Sequence, residues 1–115
     1  MSFRSITRDV GGVSVIDMNG RITLGEGSNL LRDLITEKLD AGQKNIVMNL
    51  AGINYIDSTG LGELVSSYRQ VKSQGGELKL LNLNKKVSDL LQITELYTVF
   101  DIHSNESQAV ASFHS

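Results

Sequence analysis

The sequence predicts an α/β fold: a mixed, mainly parallel β-sheet with an N-terminal β-hairpin and about four packed helices. Two observations carry this expectation. From Val13 onward, short β-branched or apolar runs alternate with longer segments of helical apolar spacing, and such alternation implies parallel strands joined by crossover helices. One further strand-like segment, residues 3–8, stands before the alternation and pairs with its successor across Asp9 to Gly12 as a hairpin. At 115 residues the chain is expected to form one domain over 1–115, long enough to bury a core without disulfide or metal staples.

The elements follow in order. Val13 to Met18 is rich in β-branched residues and stops at Asn19-Gly20, the pattern of a strand. Leu31, Leu34, Ile35 and Leu39 share one helical face between Ser28 and Asp40, and Gly42 provides a C-terminal stop. Asn45 to Leu50 is short and nearly all apolar, as expected of a strand covered on both faces. The next helix carries Leu61, Leu64, Val65, Tyr68 and Val71 toward the core and ends at Gly75-Gly76. Glu77 to Leu81 is a strand, and Lys85 to Gln92 a short helix bearing Val87, Leu90 and Leu91. Val99 to Ile102 is the last strand. Asn105, with Gln108 three residues on, caps a terminal helix through Phe113. There is no internal repeat, linker or low-complexity segment.

Composition excludes several functions. The chain has no cysteine, which removes disulfides, thiolate metal sites and cysteine nucleophiles. Its net charge of −2 comes with basic residues scattered singly apart from Lys85-Lys86, so no nucleic-acid partner is expected. Three Tyr, three Phe and no Trp give few platforms for stacking bases. His103 and His114 lack obvious partners for a metal or triad site, and no cofactor is expected. No apolar run approaches the ~20 residues of a membrane span, and Met1 leads into no apolar leader segment. The expected location is the cytoplasm, without membrane insertion.

The informative stretch is Ile53 to Val65, INYIDSTGLGELV. Gly60 and Gly62 fall within the opening turns of a helix, although each glycine in a helix interior costs roughly 1 kcal/mol relative to alanine. Either Asp57 or Ser58 would cap that helix through a side-chain oxygen. A cap alone does not call for two small residues behind it, whereas close approach of a ligand or another backbone does. At ~100° per residue, Ser58, Gly62, Ser66, Arg69 and Ser73 form one flank nearly free of bulk. Glu63, Ser67, Gln70 and Gln74 are expected to face solvent.

Enzymatic readings of the stretch fail on their own requirements. A nucleophile elbow needs glycine two residues before the serine, where Ile56 stands. An aspartic-protease reading fails because the run from Asp57 to Gly60 is one residue too long. Gly60-Leu61-Gly62 lacks both the third glycine of a dinucleotide fingerprint and the lysine of a phosphate-binding loop. A helix entrance does accommodate a phosphoryl group, through its free amides and dipole. Chemistry performed on Ser58, rather than by it, fits the residues best.

The run Asp57-Ser58-Thr59-Gly60-Leu61-Gly62 resembles the signature of bacterial anti-sigma-factor antagonists, the stand-alone STAS domains, and the similarity extends over almost the whole chain. Ile46 to Leu50, Ile56-Asp57 and Gly75 to Leu78 sit where that family places a strand, its signature and the following strand. The resemblance implies the STAS fold, a mixed sheet with an N-terminal hairpin. It further implies partner switching by a protein that is not itself an enzyme. The unphosphorylated antagonist binds an anti-sigma factor that is also a serine kinase, and a sigma factor is released. The kinase, using ATP that it carries itself, phosphorylates the residue matching Ser58, with Thr59 as the alternative acceptor; the complex separates, and a serine phosphatase resets it.

The expected partner surface is Arg21, Thr23, Asp57, Ser58, Thr59, Gly60, Leu61, Gly62 and Ser66, with the two glycines keeping it bare beside Ser58. One departure concerns the loop after the second strand, where the family often carries two acidic residues and this chain has Arg21 and Thr23. A competing expectation is a structural STAS subunit, in a signalling scaffold or beside a transporter ATPase; an intact phosphoacceptor signature favours the switch.

Overall fold

The computed structural model describes residues 2–114. Strands β1 (Phe3–Val10) and β2 (Val13–Ile22) form the antiparallel hairpin. Helix α1 (Glu26–Asp40) leads to β3 (Asn45–Ile56), and α2 (Ser58–Ser73) to β4 (Glu77–Leu81). Helix α3 (Lys85–Ile93) and a single 3₁₀ turn (Leu96–Thr98) precede β5 (Asp101–His103) and α4 (Glu106–Ala111). The sheet order is β1-β2-β3-β4-β5, and every pair after the hairpin is parallel. The mixed, mainly parallel sheet, its hairpin and the four helices are those the sequence predicts.

Strand alternation sorts the core onto two faces. Ile16, Met18, Ile46, Met48, Leu78 and Leu80 point to one side, where α1, α2 and α3 bury Leu31, Ile35, Leu64, Val71 and Leu91 against them. Val13, Val15, Val47 and Leu81 point to the other, beneath Ala109 and Val110 of α4. At roughly 25 cal/mol per Å² of apolar surface removed from water, burial of these side chains is the dominant favourable contribution to folding.

Several boundaries differ from the sequence expectation, for identifiable reasons. β3 runs unbroken from Asn45 to Ile56 instead of stopping at Leu50. It carries one extra residue against Asp17/Asn19 and another against Gly20/Arg21. These two bulges reset the in–out alternation, so the second half lacks a legible period. β2 correspondingly continues past Asn19-Gly20 to Ile22. β5 is shifted to Asp101–His103, because Val99 closes the 3₁₀ turn and Phe100 drops into the core. Asn105 does cap α4, accepting from the Gln108 amide at 3.0 Å.

Glu63 and Ser67 are corrected outright: they are 9% and 0% exposed, facing α1 and not solvent. α1 lies beside α2 on the same sheet face, so the side of α2 next to its apolar stripe is also covered. Arg32 meets Glu63 there at 2.8 Å, and Gln70 donates to the Thr36 hydroxyl at 3.2 Å.

Candidate functional site

Two parallel strands end side by side and deliver the site. Arg21 and Ile22 of β2 are in register with Tyr55 and Ile56 of β3. The loop after β2 and the start of α2 therefore emerge together at the carboxyl ends of the strands, the usual place for function in parallel sheets. Asp57 fastens them. Its amide donates to the Ile22 carbonyl at 3.3 Å, and its carboxylate accepts from Gly60 N–H at 2.7 Å and from Leu24 N–H at 2.9 Å. Those two amides, Gly60 first, hold the Asp57 carboxyl below its ordinary pKa.

Asp57 is thus the N-cap, which settles the choice between it and Ser58. Ser58 becomes the first helical residue. Its side chain is exposed, and its hydroxyl has no protein partner among the described residues. Thr59 is exposed beside it. Gly62, Ser66, Arg69 and Ser73 continue the exposed flank, and a Cβ placed on Gly62 would meet nothing within 4 Å.

Two residues expected at the partner surface lie elsewhere. Gly60 is buried, and a Cβ there would collide with the Ile22 carbonyl, so its smallness serves the packing of α2 on β2. Leu61 is 5% exposed and belongs to the core. Arg21 is exposed, its guanidinium 5.1 Å from the centroid of the Tyr55 ring. Thr23 is half-buried, and its carbonyl accepts from the Ser28 amide at 2.9 Å at the start of α1.

Neighbours that sequence reasoning missed complete the site. Tyr55, Ile56, Asp57 and Ser58 face Lys86, Val87 and Leu90 of α3 across a cavity of about 480 Å³. Tyr55 and Leu24 are large apolar residues left 42% and 74% exposed. The exposure of Tyr55 follows from the bulges that reset the alternation of β3, which the linear sequence does not show. Among the described residues, no three His, Asp or Glu side chains are grouped to hold a metal ion, and no helix is long and apolar enough to cross a membrane.

Comparison with known proteins agrees with this geometry. The STAS domain family model matches residues 5–109. An anti-sigma F factor antagonist from Paenibacillus polymyxa is 28% identical over 100 residues, covering 86% of this chain and 85% of the relative. The Bacillus subtilis anti-sigma-B factor antagonist is 43% identical over 61 residues, 53% of this chain and 56% of that protein. Among solved structures, an anti-sigma factor antagonist candidate from Thermotoga maritima superposes with a TM-score of 0.88 at 25% identity, over 96% of this chain and 95% of the other. The unphosphorylated form of the anti-sigma factor antagonist SpoIIAA shares the fold, with a TM-score of 0.71 at 18% identity over 97% and 99% of the two chains.

Proposed function

The chain belongs to the STAS domain family, and on that premise we propose that it is an anti-sigma factor antagonist switched by phosphorylation of Ser58. In the unphosphorylated form it binds an anti-sigma factor that is also a serine kinase, in the cytoplasm, and a sigma factor is released. The kinase then passes the γ-phosphoryl group of its own ATP to Ser58 Oγ. A P–O bond to serine forms, the bond to ADP breaks, and the hydroxyl proton leaves to a base of the kinase. The complex separates, and a serine phosphatase restores the hydroxyl. The chain itself catalyses nothing in this cycle.

One observation carries the reading: an exposed Ser58 hydroxyl without a protein partner, on a helix start that Asp57 fixes through Gly60 and Leu24. The backbone around Ser58 is therefore held rigid while the hydroxyl stays accessible, as an acceptor side chain requires. The names of the relatives support the partner class. The test is capture of partners from the native cell extract with and without ADP, followed by Mg-ATP and tandem mass spectrometry. One phosphoryl group on Ser58, absent from Ser58→Ala, is the expected result. A phosphate on Thr59, or equal labelling of Ser58→Ala, overturns it.

A further inference from the structure

The helix start that carries Ser58 is already electrostatically occupied. The Asp57 carboxylate takes the Gly60 and Leu24 amides. A phosphoryl group on Ser58, with about −1.5 to −2 charges, enters beside that carboxylate, and a cation from another element offsets the added charge.

The cleft between α2 and α3 supplies one. Ser58 and Lys86 line the same cavity of about 480 Å³. That space is many times the ~30 Å³ share of a single water and has room for a phosphoryl group. Lys85, one residue earlier, is paired with Asp89 at 2.8 Å, whereas Lys86 makes no ion pair among the described residues. Tyr55 forms part of the same wall and holds the Arg21 guanidinium 5.1 Å from its ring centroid, again with no carboxylate partner among the described residues.

We propose that Lys86 is the counter-ion of phosphorylated Ser58, drawing the phosphoryl group into the cleft between α2 and α3, with Arg21 as a weaker outer cation. The inference rests on Ser58 being the phosphoacceptor. Once Ser58 is phosphorylated, the lysine is neutralised from within the chain.

The experiment needs no kinase. The full chain is made with phosphoserine incorporated at position 58, and the phosphate is titrated by phosphorus NMR from about pH 4 to about pH 9, bracketing its second ionisation near 6. Asp57, Tyr55 and Lys86 are the ionisable groups lining that cavity, with Arg21 outside it over the Tyr55 ring, and only the lysine differs in Lys86→Met. The second pKa is expected to be roughly half a unit lower in wild type than in Lys86→Met, with a smaller rise in Arg21→Met. Added salt should narrow the difference. Lys86 is exposed, so the variant should keep the wild-type melting temperature, which is measured alongside. Equal pKa values in wild type and Lys86→Met overturn the inference. Absence of any kinase acting on Ser58 would instead defeat the proposed function, and the two failures are read in separate experiments.

Discussion

A Cβ added at Gly60 would collide with the backbone carbonyl of Ile22, whereas one added at Gly62 would have open space around it. The two glycines of the signature therefore have different causes. Gly60 lets α2 approach β2 closely enough for Asp57 to bond the loop at Leu24. A backbone carbonyl engaged in the strand end cannot swing aside as a flexible side chain can. Gly60→Ala should accordingly destabilise the fold by about 1–3 kcal/mol, read as a lower midpoint in urea. Wild-type stability in that variant would contradict the packing role.

Gly62 contributes to no internal packing, so its smallness faces outward. Gly62→Ala should raise stability by up to ~1 kcal/mol, the helix-propensity difference. Gly62→Leu should also fold, yet place a side chain on the exposed line through Ser58 and Ser66. Truncating an interface hot spot costs ~2 kcal/mol or more, and a leucine inserted beside the docked Ser58 is expected to cost as much. Affinity for the proposed kinase partner should therefore fall more than tenfold. Calorimetric titration of a folded Gly62→Leu protein that returns wild-type affinity would remove this flank from the interface.

Asp57 gives a pH signature. Its carboxyl is held below its ordinary pKa by the Gly60 amide and then by the Leu24 amide. A depressed carboxylate stabilises the fold above its unfolded pKa, near 3.9, and that contribution is lost as pH falls through the lower folded value. Asp57→Ala should therefore lower the urea midpoint at pH 7, and the gap to wild type should close in acid. Amide exchange at Leu24 and Gly60 should quicken in the same variant. A gap that stays constant into acid would mean that the charge plays no part.

The limits of legibility follow from the same residues. Val13 to Met18, Asn45 to Leu50 and the Asn105 cap are local signals, written in β-branched runs and in the spacing of a single turn. The topology followed from their alternation. The Asp57–Gly62 signature was equally local. What escaped was set by neighbours distant in sequence. Glu63 and Ser67 are covered by α1, Gly60 is pressed by Ile22, and Lys86 reaches the site from α3. The continuation of β3 was hidden for another reason, since two bulges break the period on which strand recognition depends.

Helix α4 packs on the second face of the sheet. Arg8 of β1 joins Asp17 of β2 at 2.6 Å and Glu106, in the first turn of α4, at 2.6 Å. Asn49 completes the group by donating to Asp17 at 2.7 Å. Arg8 is the chief cause that holds both carboxyls below their usual pKa. Their contribution is thus fully present above the unfolded values, near 4, and disappears as pH drops through the folded ones. Arg8 and Glu106 are 39% and 37% exposed, so solvent screening limits the loss in Arg8→Met to about 1 kcal/mol at neutral pH. Wild type should lose stability faster than Arg8→Met below about pH 5, and the two should converge in strong acid. In Arg8→Met at neutral pH, the amides of Ala109 and Val110 should exchange faster than those of β3, because α4 is released before the sheet opens. Parallel stability curves across the whole range, with unchanged exchange in α4, would show that apolar burial of Ala109 and Val110 holds the helix without the arginine.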